Sequence, residues 1–380
     1  VQIIHSARRI DRSFLPSAGR PVAAAADWVA VHDGALLAEG VGGTWHSWAR
    51  GNGVPLEAAV DAGGRPLTAG WVDQHCHGAA GVSFDDEADP GVAVAAHEAH
   101  GTRALVASLV TNPLDVESAA ARRLAAAVRA SETLVGIHLE GPFLDHGHKG
   151  AHAPQYLRPA GLADVQALYD ACEGELRQLT LAPEHDENLA ATRWLSERGV
   201  AVAVGHTSCS RDVAMAAFDA GASVLTHTFN GMPGLHHREP GPLGAALDSP
   251  HVTLELISDL VHVAPTLIRT LFAAAPGRVA LITDAMSATG CTDGAYQLGS
   301  LAVTVTDGVA RLDEGGSIAG STLTMDEAVR RTVACGVALE DAVEAATVTP
   351  ALAMGLGAFP SEGQRLEPFL VDADGTATAA

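Results

Sequence analysis

The chain has 380 residues, 47% hydrophobic and 18% charged, the composition of a folded protein with a large core and not of a disordered one. Its 23 Lys and Arg against 45 Asp and Glu leave a net charge of −22, a surface that repels nucleic-acid phosphates and anionic lipid alike. Five scattered cysteines (Cys76, Cys172, Cys209, Cys291, Cys335), no signal-peptide core near the start and no spanning apolar run predict a cytoplasmic protein in a reducing compartment, with neither a membrane nor a nucleic acid as partner.

Residues 1–67 read as a small β domain. Apolar residues 28–31 and 35–38 flank His32-Asp33-Gly34, and Asp-Gly between two apolar runs predicts a hairpin. Glycine-rich stretches at 40–43 and 63–64 separate further short pieces. From residue 68 the texture changes, and apolar runs of strand length alternate with alanine-rich runs of helix length. The strand candidates are 69–73, 104–110, 134–139, 178–181, 200–204, 223–225, 252–257 and 279–282. Between them lie helix candidates such as 113–130, 162–172, 187–198, 211–220 and 265–274, with Pro or Asp near their starts and Gly near their ends. The runs lack polar alternation, as expected of strands buried on both faces. Eight such units predict an α/β protein with a TIM-like (β/α)8 barrel over 68–355, although a doubly wound open sheet has the same local pattern. A hairpin is expected within 297–312 around Asp307-Gly308, and helices at 325–335 and 339–346 close the barrel domain. The irregular tail, 356–380, is expected to return to the N-terminal segment and complete a small β-sandwich, with 366–372 as the returning strand.

Metal-capable residues stand at the C-terminal ends of the strand candidates. His75 and His77 end the first, Glu140 the third, His206 the fifth, His227 the sixth and Asp284 the eighth. In a barrel those ends converge on the catalytic face. Histidines with a carboxylate predict a divalent metal site, zinc by default. His75 and His77 are two apart, so on an extended strand both rings face the same side and Cys76 faces away. Glu140 has two oxygens, one for an ion held by His206 and His227 and one for a second ion held by His75 and His77, so one or two ions per subunit are expected. Asp284 is the candidate general base, able to take a proton from water and return it to a leaving group.

Several segments come in order: His138-Leu139-Glu140-Gly141-Pro142-Phe143, Lys149-Gly150-Ala151-His152, Leu181-Ala182-Pro183-Glu184, Gly205-His206-Thr207, Thr226-His227-Thr228-Phe229-Asn230-Gly231-Met232, Thr283-Asp284-Ala285-Met286 and Ala319-Gly320-Ser321-Thr322-Leu323-Thr324-Met325. Together they closely resemble the N-acetylglucosamine-6-phosphate deacetylases of the amidohydrolase superfamily, from about Gly70 to Gly355. The resemblance implies hydrolytic removal of acetate from an amino-sugar phosphate in a homodimer. It implies that Glu140, His206 and His227 bind the main metal and that Asp284 is the acid/base. It further implies that His152 contacts the acetamide or sugar, that Asn230, Gly231, Arg238 and His262 hold the phosphate, with one basic group coming from the partner subunit, and that Ile318, Ala319 and Gly320 line the sugar pocket. Glu140 stands where related cyclic-amide hydrolases carry a modified lysine, which favours the deacetylase. The chain departs from the family pattern at Leu260, where a glycine is usual before the His262 step, and in its C-terminal tail.

Overall fold

The computed structural model describes residues 1–10, 26–357 and 365–380. Its centre is one eight-stranded parallel sheet with the strands in chain order: Trp71–Cys76, Thr102–Val110, Leu134–Glu140, Leu176–Leu181, Ala201–Val204, Val224–Leu225, Thr253–Ile257 and Val279–Ile282. A parallel bridge between Cys76 and Ala285 brings the first and last strands together, with the Asp284 N–H donating to the His75 carbonyl at 2.9 Å and the His77 N–H to the Ala285 carbonyl at 2.7 Å. The sheet thus closes into a TIM-like barrel, and the open doubly wound alternative is excluded. The fifth, seventh and eighth strands are buried almost end to end, which is why they read as continuous apolar runs.

Amphipathic helices ring the barrel. Leu114–Ala130 buries Ala120, Ala121, Leu124, Ala125 and Val128, a stripe of helical spacing that joins the barrel core. Pro265 opens Pro265–Ala274 with a preset φ, and Ser210 caps Arg211–Asp219 by accepting from the Val213 N–H. The helix expected over 187–198 is shorter, Ala190–Ser196, because Leu189 turns left-handed at φ 53° and ends a preceding 3-10 turn. Thr44–Gly51, in the part read as strands, is a helix that buries Trp45 and Ala49 one turn apart.

Outside the barrel, Gln2–His5, Trp28–His32, Ala35–Gly40 and Ala59–Asp61 form one four-stranded sheet, and Arg8–Arg9, Pro66–Thr68, Phe369–Val371 and Ala377–Ala379 form another. The predicted hairpin turns through two left-handed residues, Asp33 at φ 48° and Gly34 at φ 74°, as a two-residue loop requires. Phe369–Val371 runs antiparallel to Pro66–Thr68, so the tail does return to the N-terminal segment. Ile4, Val29, Val31, Leu67, Leu366 and Leu370 meet in a common core. Residues 11–25 and 358–364, which the sequence also assigns to this part, lie outside the described residues.

The predicted hairpin near residue 307 is a three-stranded flap, Gly294–Leu298, Leu301–Thr306 and Val309–Leu312. Its Val303, Val305, Ala310 and Leu312 pack onto Val110, Ala151 and Met286 beside the C-terminal ends of the barrel strands. All five cysteines are free, and among the described residues no helix is long and apolar enough to cross a membrane.

Leu370 tests the returning strand. It is 2% exposed, and Leu370→Ala should cost about 2–4 kcal/mol of stability through lost contacts and the cavity left behind. Urea denaturation followed by tryptophan fluorescence measures this, and a change under about 1 kcal/mol, the range of ordinary surface substitutions, would show the strand to be dispensable.

Candidate active site

The strand ends converge as expected. Glu140, the last residue of the third strand, is 3% exposed and stands between two groups of imidazoles. Its Oε1 is 3.1 Å from the Nε2 atoms of both His206 and His227. Its Oε2 is 3.1 Å from His77 Nε2, 3.5 Å from His75 Nε2 and 3.4 Å from His152 Nε2. Asp284 Oδ1 completes the second group at 3.3 Å from His77 and 3.6 Å from His75. Cys76 faces away, its sulfur 3.2 Å from His97.

The turns that deliver these groups are strained. His206, His227 and Asp284 take φ values of 46°, 24° and 48°, a left-handed region unusual outside glycine and concentrated at functional sites. Local contacts hold them there. The Asp145 N–H donates to the His206 carbonyl at 2.8 Å, and His206 Nδ1 is 2.8 Å from the His148 carbonyl. Glycine leaves room for the ring, since a Cβ on Gly231, itself at φ 60°, would stand 2.9 Å from His206 Nδ1.

A divalent cation fits this donor set. A carbonyl only accepts, so the His148 contact puts the His206 proton on Nδ1 and leaves the Nε2 lone pair facing Glu140 Oε1, also an acceptor. His206 and His227 bring their Nε2 atoms to 3.0 Å, and His75 and His77 theirs to 3.2 Å. Two nitrogens on one tetrahedral zinc stand about 3.3 Å apart. Electrostatics agree. Burial opposes charge on His77, but hydrogen bonds to Asp284 and Glu140 outweigh it and raise its pKa to about 9, a field that favours any cation. Burial pushes Glu140 up, yet the charge of His75 and hydrogen bonds from His152, His206 and His227 hold it well below the usual carboxylate range. Asp284 is also pushed up by burial, and the charge of His75 with the His77 hydrogen bond brings it down to about 2.

His152 is of another kind. Burial, then the neighbouring His206, pushes its pKa down to about 4, so the ring is neutral near pH 7. Nδ1 lies 2.9 Å from the Thr111 hydroxyl and 3.4 Å from the Thr111 backbone N–H, and Nε2 faces the metal-capable cluster. That is a neutral imidazole placed beside the reacting centre.

A cavity of about 300 Å³ opens over the cluster, lined by His77, Glu140, His152, His206, His227 and Asp284. Asn230, Gly231, His262, Ile318 and Gly320 line it as well, joined by Val110, Ile257, Leu298 and Ser317, none of which sequence reasoning singled out. Ala319 is packed beneath it, against the flap core. Gly320, at φ 61°, lets the chain run against the Asp284 carbonyl, where a Cβ would sit 2.9 Å away. Asn230 spends its amide on its own turn, 3.2 Å from the His227 carbonyl and 3.4 Å from that of Thr228. Arg238 is exposed, its guanidinium 2.9 Å from His237 Nε2, and it does not line the cavity of its own chain. Also unforeseen is Glu255, wholly buried in the seventh strand with Oε2 at 3.1 Å from His75 Nδ1. A glutamate inside the apolar run 252–257 was the available signal. A larger cavity, about 570 Å³, lies at the opposite end of the barrel near Trp71, Ala104 and Val135, away from this cluster.

A closed (β/α)8 barrel with histidine pairs, a bridging glutamate and an aspartate at its C-terminal mouth defines a metal-dependent hydrolase of the amidohydrolase type. Comparison with known proteins narrows the class. The chain is 40% identical over 296 residues to an Escherichia coli O157:H7 N-acetylgalactosamine-6-phosphate deacetylase, 76% of this chain and 78% of the relative. It is 36% identical over 305 residues to a Vibrio furnissii N-acetylglucosamine-6-phosphate deacetylase, 78% of this chain and 76% of the relative. Among solved structures, a Mycobacterium smegmatis N-acetyl-D-glucosamine-6-phosphate deacetylase variant in complex with N-acetyl-D-glucosamine-6-phosphate superposes with a TM-score of 0.84 at 41% identity, covering 92% of each chain. The Thermotoga maritima N-acetylglucosamine-6-phosphate deacetylase superposes at 0.82 with 27% identity, over 99% of this chain and 96% of that one. No family model matches the chain. The chain belongs to the N-acetylglucosamine-6-phosphate deacetylase family.

Gly231→Ala should push His206 off its position, because the new Cβ meets the ring at 2.9 Å. Metal affinity should fall about 10-fold or more, the cost of disturbing a ligand's support. Metal analysis after dialysis against graded chelator reads this directly, and an unchanged occupancy profile would contradict it.

Proposed function

We propose that the chain hydrolyses N-acetyl-D-glucosamine 6-phosphate to D-glucosamine 6-phosphate and acetate. The observation that carries this reading is the convergence of Glu140, four metal-capable histidines, Asp284 and the neutral imidazole of His152 in one cluster beneath a cavity. Bound there, a divalent cation supplies Lewis-acid polarisation and lowers the pKa of water towards about 7.

The chain's own groups supply the rest. His152 Nε2–H donates to the acetamide oxygen as it gains negative charge. Asp284, held ionised, accepts the proton of the attacking water. Its protonated form then passes that proton to the nitrogen as the C–N bond breaks. Without protonation the amine is too poor a leaving group to depart. Val110, Ile257, Leu298 and Ile318 give the cavity an apolar wall against the acetyl and sugar faces. His262 offers a cation to the phosphate: burial works against its charge, but the Asp259 carboxylate 2.7 Å from Nδ1 raises its pKa above the ordinary value.

Zinc suits a nitrogen and carboxylate donor set. Two ions suit the charge. Glu140, Glu255 and Asp284 put three buried carboxylates among these imidazoles, so one divalent ion leaves a net −1 and two leave +1 towards an anionic substrate. Arg238, outside its own cavity, is assigned to the phosphate of the neighbouring subunit in a homodimer. Residues 1–67 with 356–380 are taken as one domain and 68–355 as the other, and the five unpaired cysteines favour a cytoplasmic setting.

A second reading, favoured by the 40% identity to the Escherichia coli O157:H7 relative, is the 4-epimer N-acetyl-D-galactosamine 6-phosphate. Acetate release from the two 6-phosphates and from unphosphorylated N-acetylglucosamine tests both. The glucosamine epimer should have the highest kcat/KM, and release from none of the three would overturn the deacetylase assignment.

Asp284→Asn should keep metal and substrate binding and lose about 10²- to 10⁴-fold in kcat, since proton transfer alone is removed. A variant retaining more than about a tenth of wild-type kcat would take the shuttle role away from Asp284. Arg238→Ala should weaken the phosphorylated substrate about 10- to 150-fold and spare the unphosphorylated sugar, as loss of a charge-assisted phosphate contact does. Mixed Arg238→Ala and Asp284→Asn subunits should recover part of the activity, and equal losses for both sugars would make Arg238 structural.

A further inference from the structure

We infer that Glu255 is a positioning residue for the second ion: from inside the barrel it keeps the His75 proton on Nδ1 and turns the Nε2 lone pair towards Glu140 and Asp284. The inference rests on the two-ion reading proposed above, in which His75 and His77 hold an ion beside Asp284 and share Glu140 with the first ion.

The geometry is specific. Glu255 lies midway along Thr253–Ile257 and is 0% exposed. Its Oε1 accepts from the side-chain amides of Gln74 and Gln178, both at 2.8 Å. Its Oε2 accepts from the His227 backbone N–H at 3.2 Å and faces His75 Nδ1 at 3.1 Å. The two glutamine amides fix the carboxylate, so it cannot swing away from the ring. An ionised carboxylate has no proton to give, so at this contact His75 Nδ1 is the donor. The Nε2 of a neutral His75 is then a bare lone pair. It points at two further acceptors, Glu140 Oε2 at 3.5 Å and Asp284 Oδ1 at 3.6 Å, an arrangement that a bound cation reconciles.

His77 has no such support. Its Nδ1 is buried without a hydrogen-bond partner, so nothing behind the ring holds its proton on that nitrogen. The burden of presenting a defined nitrogen to the second ion therefore falls on His75. A carboxylate behind a ligating imidazole also makes the ring more basic, which tightens the metal bond. Glu255 reaches the first site as well. Its main-chain carbonyl accepts the Thr228 N–H at 2.8 Å and its carboxylate holds the His227 N–H, so one residue pins the strained turn on one side and the ring orientation on the other.

The test is a zinc titration of wild-type protein and Glu255→Gln in competition with a chromophoric chelator. Wild type should take up two ions. Glu255→Gln should weaken binding of the second ion about 10- to 100-fold and of the first by less, because an amide nitrogen at the Oε2 position donates to Nδ1 and drives the ring proton to Nε2, while the His227 N–H only loses its acceptor. Two ions bound by both proteins with equal second affinity would overturn the role of Glu255 and leave the two-ion reading intact. A wild-type stoichiometry of one would overturn the two-ion reading itself, and the inference with it. Should the variant fail to fold, 15N-histidine NMR of zinc-loaded wild type decides, with the His75 signals assigned by their loss in His75→Ala. A proton on Nδ1 and a zinc-bound Nε2 without a proton are expected, and a proton on Nε2 overturns the inference.

Discussion

The active site depends on one buried carboxylate placed between two sets of imidazoles. Glu140 has only two oxygens, and they divide the site between them, one towards His206 and His227 and the other towards His75, His77 and His152. A charge taken this far from water is tolerable only where opposite charge or hydrogen bonds compensate it. The barrel provides that compensation by closing. Because the first strand meets the eighth, His75 and His77 lie beside Asp284, and because the third strand lies two places from the first, Glu140 faces them. An open sheet would leave the first and eighth strands at opposite edges and the two halves of the site apart.

Holding these side chains requires backbone that most residues avoid. His206, His227 and Asp284 all leave their strands with positive φ, and each is tied down by an atom of a neighbouring segment. The Asp145 N–H holds the His206 carbonyl, the Ser321 N–H holds that of Asp284 at 2.7 Å, and Glu255 holds the His227 N–H. The strain bends the chain sharply enough that consecutive strand ends aim side chains inward and not along the barrel axis. Glycine appears where chains then crowd: Gly231 against the His206 ring and Gly320 against the Asp284 carbonyl.

The barrel was legible because its strands are buried on both faces. A run such as 279–282 has no polar residue to interrupt it, and Val279–Ile282 is the strand observed. The metal-capable residues were legible for the opposite reason: each is a polar residue within four positions of the end of such a run. Thr44–Gly51 was not legible. It is a short amphipathic helix whose apolar stripe is Trp45 and Ala49, too few positions to set a period. Glu255 was passed over because its neighbours are apolar and its purpose lies across the barrel, at His75 and His227. Arg238 shows the limit of motif reasoning. The residue is recognisable in the sequence, but in the fold it sits outside its own cavity, and a second chain would have to bring it to a substrate.

Leu260 brings the chain's electrostatics and its strain together. A protein of net charge −22 that binds a phosphate cannot use its overall field, which is screened within about 8 Å at physiological salt. It needs a cation fixed at the phosphate. His262 is the cation proposed for that place, and what fixes it is the turn before it: Asp259 Oδ1 accepts the N–H groups of Val261 at 2.9 Å and His262 at 2.8 Å, while Oδ2 takes His262 Nδ1. To make that turn, Leu260 adopts φ 65°, a conformation in which a glycine would be unstrained, and its side chain is 42% exposed. The leucine gains little from packing there and carries a strain of roughly 1–2 kcal/mol. Its backbone is held left-handed by the three hydrogen bonds that Asp259 makes around it. Asp259 therefore does two things with one carboxylate: it sets the backbone that carries His262 to the cavity, and it raises the pKa of the imidazole there against the burial that would lower it.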